Sequence, residues 1–359
     1  MLTIVLGTRP EMIKLAPVMR ELDRQGLSYT FIHSKQHYDQ ALDGQIASDL
    51  GLRSPDYTLD VGSGSHASQT ANIMLKLDSL IASLRPEIIM VQGDTNTVLA
   101  ASLVAAKMNI PIAHVEAGLR SGDWRMPEEI NRVVTDRLST LHYAPSAISV
   151  ANLAKEGIAG NHVIVTGNTV VDMLIAAKPN FANSNILSKL GLTRQSYLLL
   201  TAHRQENVDD PNRLQALLNL ASHATQSLSV PMIWPVHPRT GKILTDHHFI
   251  LPENLTMLSP IGYFDMLKLE SEAKLILSDS GGIQEEAYIL KVPIVTLRNS
   301  TERPETLTAN FLIDTNVTLF DHAWSRFMEG AVNWGNALGD GHASEIIVAS
   351  LLKFLKEQK

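Results

Sequence analysis

Short, almost purely apolar runs alternate with longer helical patterns along nearly the whole chain. The runs are Ile4-Val5-Leu6, Tyr29-Thr30-Phe31-Ile32, Ile88-Ile89-Met90-Val91, Ile112-Ala113-His114-Val115, Val163-Ile164-Val165, Tyr197-Leu198-Leu199-Leu200, Met232-Ile233-Trp234, Leu275-Ile276-Leu277 and Ile294-Val295-Thr296. A strand that is apolar on both faces must be covered on both faces, so strands of this kind joined by helices predict parallel α/β sheets. The first helix is well marked: Pro10 near its start, Leu15, Val18, Met19 and Leu22 as its apolar stripe, and Gly26 at its end. There are too many strands for one small sheet, and 359 residues suffice for two domains with separate cores. Lys178-Pro179-Asn180 and Asn183-Ser184-Asn185 interrupt the pattern between Gly167 and Tyr197. The expected domains are therefore 1–168 and 169–342, with a last helix within 343–359 that can pack on either.

In open α/β sheets, ligands bind beyond the carboxyl ends of the strands. Two such domains facing each other are expected to form a cleft, and the polar motifs of this chain all follow strands. The most informative is Asp279-Ser280-Gly281-Gly282-Ile283-Gln284-Glu285-Glu286, read as a glycine turn that starts a helix. Backbone N–H groups at such a start suit a phosphate or diphosphate, and the glycines allow close approach. Glu285 and Glu286, one turn on, can accept hydrogen bonds from sugar hydroxyls. Gly7-Thr8-Arg9-Pro10-Glu11 follows the first strand, with Lys14 one turn further. Arg9 and Lys14 read either as a charged helix start or, beside the Ser-Gly-Gly element, as an anion site.

Asp94, in Gln92-Gly93-Asp94-Thr95-Asn96, stands where an N-cap would be, a role it can fill while facing a cleft. Glu116 ends the next strand, where an unpaired and unused carboxylate would be costly. Glu128 lies in the first turn of a helix opened by Met126-Pro127, a place where acidic residues commonly serve the helix dipole. His203, in Thr201-Ala202-His203-Arg204, reads as a general base, a phosphate donor or a cap. His237 and Arg239 sit in a loop stiffened by Pro235 and Pro238.

Composition removes several alternatives. Net charge is -7 and no long basic run occurs, which argues against general nucleic-acid binding. There are no cysteines, so thiolate chemistry and disulfides are excluded. No His-Glu-x-x-His, Gly-x-Gly-x-x-Gly or P-loop pattern occurs, so a metal, nicotinamide or flavin is not supported. No secretory signal and no apolar run of bilayer length are seen, so no membrane association and a cytoplasmic location are expected.

Taken in order, Gly7-Thr8-Arg9-Pro10-Glu11, Gln92-Gly93-Asp94-Thr95-Asn96, His114-Val115-Glu116-Ala117-Gly118-Leu119-Arg120, Pro127-Glu128-Glu129-Ile130-Asn131-Arg132, Thr201-Ala202-His203-Arg204, the Ser-Gly-Gly element and Thr301-Glu302-Arg303-Pro304-Glu305 run across nearly the whole chain. In this the chain resembles the non-hydrolysing UDP-N-acetylglucosamine 2-epimerases. The resemblance implies two Rossmann-like domains of GT-B type, the second binding UDP, and a homodimer. It implies interconversion of UDP-GlcNAc and UDP-ManNAc for surface polysaccharides, with no redox cofactor or obligatory metal, through elimination of UDP to a 2-acetamidoglucal. Asp94, Glu116 and Glu128 would supply acid and base, with His203 assisting departing UDP. Ser280, Gly281 and Gly282 would cradle the diphosphate, Glu286 would accept from the ribose, and Arg132 would lie near the diphosphate. Arg9 and Lys14 would be nucleotide-side contacts, with His237 a further substrate contact. Many members are activated by a second UDP-GlcNAc. Here Gln36, His37, Arg204, Glu206 and His237 keep part of that site, but Lys35 and Gln205 depart from the pattern, so weak or absent activation is expected. Alternatives are a 2-epimerase of another UDP sugar, such as a 2,3-diacetamido glucuronate, a hydrolysing 2-epimerase, a UDP-sugar glycosyltransferase, or a non-enzymatic UDP-sugar sensor.

Overall fold

The computed structural model describes residues 1–35, 40–62 and 64–358, with the backbone alone at 40–43 and 45. It divides into two compact units, one of residues 1–176 with 336–359 and the other of residues 177–335. In the first unit the strands are β1 (Leu2–Leu6), β2 (Tyr29–His33), β3 (Tyr57–Thr58), β4 (Ile88–Gln92), β5 (Ile112–Val115), β6 (Leu141–Ala144) and β7 (Val163–Val165). The second unit carries β8 (Leu198–Thr201), β9 (Met232–Pro235), β10 (Leu255–Leu258), β11 (Leu275–Ser278), β12 (Ile294–Thr296) and β13 (Asn310–Leu312).

Among the described residues the two sheets have the orders β3-β2-β1-β4-β5-β6-β7 and β10-β9-β8-β11-β12-β13. Every strand pair is parallel. Both orders are of Rossmann type, with chain direction across the sheet reversing between β1 and β4 and between β8 and β11. The loops after those four strands are thus the topological switch points.

Most of the apolar runs do what their composition requires; the exception is the edge run Val163–Val165, whose Val165 is exposed because no further strand or helix covers it among the described residues. In the second unit, Leu198, Leu200, Met232, Trp234, Leu275 and Leu277 pack on one face of the sheet. The intervening Tyr197, Leu199, Ile233 and Ile276 pack on the other. Alternation across the pleat fills two cores from one strand set. In the first unit Val5, Ile32, Ile89, Val91 and Ile112 pack against the helices His66–Leu84 and Asn96–Lys107. The first helix is Arg9–Arg24, with Leu15, Val18 and Met19 fully buried and Gly26 beyond its end at φ +66°.

The segment read as an interruption is largely helical. The helix Thr169–Ala182 runs through Pro179, and the boundary between units falls inside it. The last helix, Ala343–Glu357, belongs to the first unit. The carboxylate of Asp172 accepts hydrogen bonds from Ser344 N (2.8 Å), Ser344 Oγ (2.6 Å) and Ala343 N (3.3 Å), which anchors the helix start and suits its dipole. Strands β3, β6, β10 and β13 are additions to the sequence reading. β6 carries His142 in its middle, which breaks an apolar run, yet His142 is buried with Nε2 2.7 Å from the Asp136 carbonyl. Among the described residues no helix is long and apolar enough to cross a membrane.

Candidate active site

In the first unit the loops after β1, β4 and β5 carry most of the polar side chains. A Cβ on Gly7 would collide with Ser34 Oγ and Thr97 Oγ1, so only glycine lets the chain leave β1 here. Glu11 folds back over this turn, accepting from Gly7 N (3.0 Å), Thr8 Oγ1 (2.7 Å) and Thr95 Oγ1 (3.1 Å). Burial raises its carboxyl to about 7 despite these bonds, with Asp94 adding repulsion. Arg9 opens the helix, half-buried and engaged.

The helix after β4 is capped by Thr95, whose hydroxyl accepts from Val98 N. The cap expected of Asp94 therefore belongs to its neighbour. Asp94 instead pairs with Arg132, whose other terminal nitrogen holds Glu129. Asn131 Nδ2 donates to the Asp94 carbonyl at 2.8 Å. Burial alone would raise Glu129, but Ser121 N–H, Arg132 and Gly122 N–H hold its carboxyl below the usual range.

Glu116 follows β5 and is next to the β4 loop by register, since Gln92 pairs with Val115. Its backbone sits at φ +74°, the left-handed region that a residue with a Cβ enters at a cost of about 1–3 kcal/mol. The side chain is buried, with Lys14 Nζ donating to Oε1 at 2.5 Å and Gln92 Nε2 donating to Oε2. Lys14, an anion-site candidate in the sequence, is thus engaged with a carboxylate. Glu128, half-buried in the first turn of Pro127–Leu138, makes no hydrogen bond or ion pair among the described residues. Beneath the β5 end, His114 spans Asp136 Oδ1 (2.7 Å) and the Gly93 carbonyl (2.8 Å). Asp136 also accepts from Gly118 N (3.0 Å) and Arg120 (2.8 Å), so one buried carboxylate ties both loops together. The sequence reading did not single out Glu11, Gln92 or Asp136. Gln92 could have been found as an amide closing an apolar strand one step before the Gly93-Asp94 turn.

In the second unit the switch-point loops follow β8 and β11. Asp279 is fully buried and accepts from His203 N (3.1 Å), Arg204 N (3.0 Å) and Asn207 Nδ2 (3.0 Å), with His203 Nδ1 3.2 Å away. Burial opposes ionisation, yet His203, Asn207 and the Arg204 N–H hold this carboxyl at about 2. The ring of His203 remains mostly exposed above it.

The helix Gly281–Leu290 starts directly after Ser280, whose side chain makes no capping bond. A Cβ on Gly281 would lie 2.6 Å from Glu302 Oε1, whereas at Gly282 the nearest atom is Ser280 Oγ at 3.8 Å. One glycine is needed for packing and the next leaves an open approach to the helix start. The Thr301–Glu305 stretch packs on this helix: Thr301 Oγ1 donates to Gln284 (2.7 Å), Arg298 pairs with Glu302 (2.8 Å), and Arg303 pairs with Glu285 (2.5 Å). Glu285 is therefore spent on Arg303, and Glu286 accepts from Tyr263 OH at 3.1 Å. Arg204 lies 3.6 Å from Glu302 and 3.8 Å from Glu206. His237 caps the helix Pro238–Asp246, its Nδ1 accepting from Arg239 N at 3.3 Å, while Arg239 pairs with Asp209. Gln36 and His37 lie outside the described residues. Among the described residues no group of three or more His, Asp or Glu side chains is placed to hold a metal ion.

Two Rossmann-type units, with an uncapped Ser-Gly-Gly helix start in one and carboxylates beyond the strands of the other, define an α/β enzyme of the GT-B-type architecture. The family model for UDP-N-acetylglucosamine 2-epimerase matches residues 20–352. The UDP-N-acetylglucosamine 2-epimerase of Methanocaldococcus jannaschii is 43% identical, over 98% of this chain and 98% of that protein. A crystal structure of the M. jannaschii enzyme in complex with UDP-GlcNAc and UDP superposes with a TM-score of 0.92 at 42% identity, covering 98% of this chain and 99% of that one. The UDP-2,3-diacetamido-2,3-dideoxy-D-glucuronate 2-epimerase of Pseudomonas aeruginosa is 35% identical, over 97% of this chain and 98% of that protein. The chain belongs to the UDP-N-acetylglucosamine 2-epimerase family and is an epimerase.

Proposed function

We propose that this protein interconverts UDP-GlcNAc and UDP-ManNAc by inverting C2 without hydrolysis. The observation that carries this reading is the set of three carboxylates in unlike settings. Asp94 is paired with Arg132, Glu116 is held by Lys14 and Gln92, and Glu128 has no partner among the described residues. Carboxyl groups in different environments can divide acid and base work.

In the proposed step a carboxylate removes the C2 proton while the C1–O bond to UDP breaks. The C–H electron pair becomes the C1=C2 bond of a 2-acetamidoglucal, and UDP keeps the C–O pair. His203, held by Asp279, assists the departing diphosphate. The N–H groups at Gly281 and Gly282, with the Ser280 hydroxyl, stabilise its charge, as a helix start does for phosphate. Glu286 accepts from the ribose, Arg9 contacts the nucleotide side, Arg132 lies near the diphosphate, and His237 is a further substrate contact. UDP then re-adds at C1 while a second carboxyl protonates C2 from the opposite face.

A proton NMR spectrum of UDP-GlcNAc incubated with the protein in D2O tests this. A UDP-ManNAc anomeric signal, with C2–H replaced by deuterium in both sugars, is the expected result. Free ManNAc with UDP would instead indicate hydrolysis. The 35% identity to the P. aeruginosa enzyme favours one second reading, the diacetamido glucuronate substrate. Exchange with that sugar and none with UDP-GlcNAc would establish it.

A further inference from the structure

The helix Tyr263–Glu272 packs on the helix Gly281–Leu290, and it brings a second carboxyl against Glu286. Tyr263 and Glu270 are seven residues apart, two helical turns, so they share one face. Tyr263 OH donates to Glu286 Oε1 at 3.1 Å, and Glu270, on the same face of that helix, neighbours the Glu286 carboxylate. Glu270 is fully buried, and neither of its oxygens accepts a hydrogen bond from a donor among the described residues. An ionised carboxylate there would be cut off from bulk solvent with no cation or donor beside it among the described residues, which is costly. As a neutral acid the same group has one O–H to give and one neighbour able to accept it.

We propose that Glu270 is a positioning residue for the nucleoside: as a neutral acid it donates a hydrogen bond to Glu286 and fixes that carboxylate for the ribose hydroxyls. The inference rests on Glu286 being the ribose acceptor. Among the described residues, Tyr263 donates to Glu286, and Tyr197, which faces Glu270, has its hydroxyl committed to the Leu269 carbonyl at 2.6 Å. Lys268 and Glu272, on the same helix, pair with each other at 3.0 Å and supply no cation to Glu270. Burial, then repulsion from Glu286, pushes the Glu270 carboxyl well above its ordinary range, in keeping with the geometry. The arrangement leaves one negative charge beside the ribose where two acidic side chains would otherwise place two.

The test measures binding of UDP and of 2′,3′-dideoxy-UDP by calorimetry to the full-length protein and its variants. Losing a hydrogen bond to a charged group should weaken UDP binding by Glu270→Leu roughly ten-fold. Dideoxy-UDP, which lacks the ribose hydroxyls, should bind wild type and Glu270→Leu alike. Glu270→Gln keeps an N–H donor and should restore UDP binding close to wild type. If Glu286→Gln weakens UDP binding while Glu270→Leu does not, the positioning role is wrong and the ribose reading survives. If Glu286→Gln leaves UDP binding unchanged, the ribose reading itself is wrong. A difference infrared spectrum of wild type minus Glu270→Gln at neutral pH provides a check independent of the Leu variant. A protonated carboxylic acid band is expected, and a carboxylate band would overturn the proposal.

Discussion

Asp279→Asn is the substitution whose consequences the structure constrains most closely. The side chain is buried and receives two backbone N–H groups and the Asn207 amide, with the His203 ring beside it. Its carboxyl is held at about 2, against an ordinary value of 3.8. A depression of that size corresponds to about 2 kcal/mol of folding stability at neutral pH. The sign follows from linkage: the folded value lies below the unfolded one, so the stabilisation is present above about pH 4 and is lost as pH falls towards 2. Asparagine also turns an N–H2 towards groups that are themselves donors, which adds about 1–3 kcal/mol of unsatisfied polar burial. Together the expected loss is roughly 3–5 kcal/mol, constant between pH 5 and 8 and shrinking below pH 4. Urea unfolding followed by tryptophan fluorescence suits the question, because Trp234, Trp324 and Trp334 lie in the same unit as Asp279 while Trp124 is in the other. His203 would lose its charged partner, so kcat for C2–H exchange should fall about 10²-fold or more even where the variant stays folded. Wild-type stability and unchanged kcat in Asp279→Asn would refute both the stabilising role and the link to His203.

Three further outcomes are expected. Glu128→Gln should leave the melting temperature unchanged, because Glu128 has no partner among the described residues, yet slow deuterium exchange at C2 by about 10²-fold or more; equal loss of stability and activity would contradict this. Gly281→Ala would place a methyl 2.6 Å from the Glu302 carboxylate, itself held by Arg298. The strain should cost about 1–3 kcal/mol in thermal unfolding and raise KM for the UDP sugar through a displaced helix start; wild-type KM and stability would count against the tight packing described. Glu11, raised to about 7 by burial, contributes in the opposite sense to Asp279. Its stabilisation is present below pH 4.5 and is lost as pH rises through 7, a change of roughly 3 kcal/mol that Glu11→Gln should abolish in urea titrations across that range.

Much of the fold was legible from local signals. Apolar runs such as Leu275-Ile276-Leu277 cannot be exposed on either face, which demands a covered parallel sheet, and strand-to-helix turns with paired glycines mark helix starts. The edge strands β3 and β10 were not legible because their exposed positions carry no apolar requirement. β6 was missed because its buried histidine is satisfied by a backbone carbonyl six residues away in sequence, at Asp136. The site divides similarly. Asp94, Glu116, Glu128 and the Ser-Gly-Gly element stand out because each follows a strand or opens a helix, positions where polar residues meet ligands.

Their partners were decided by the tertiary structure alone. Lys14 and Glu116 are 102 residues apart, Arg132 and Asp94 are 38 apart, and His203 and Asp279 are 76 apart. No local pattern links such pairs, because parallel crossovers bring together strand ends that are remote in sequence. The same holds for Glu270, which the sequence alone presents as one more acidic residue beside Glu272. Only burial against Glu286 turns it into a group that must keep its proton. The kinds of residue at each strand end were set by the sequence, while charge state and pairing came from which strand ends and helices were packed side by side within each unit.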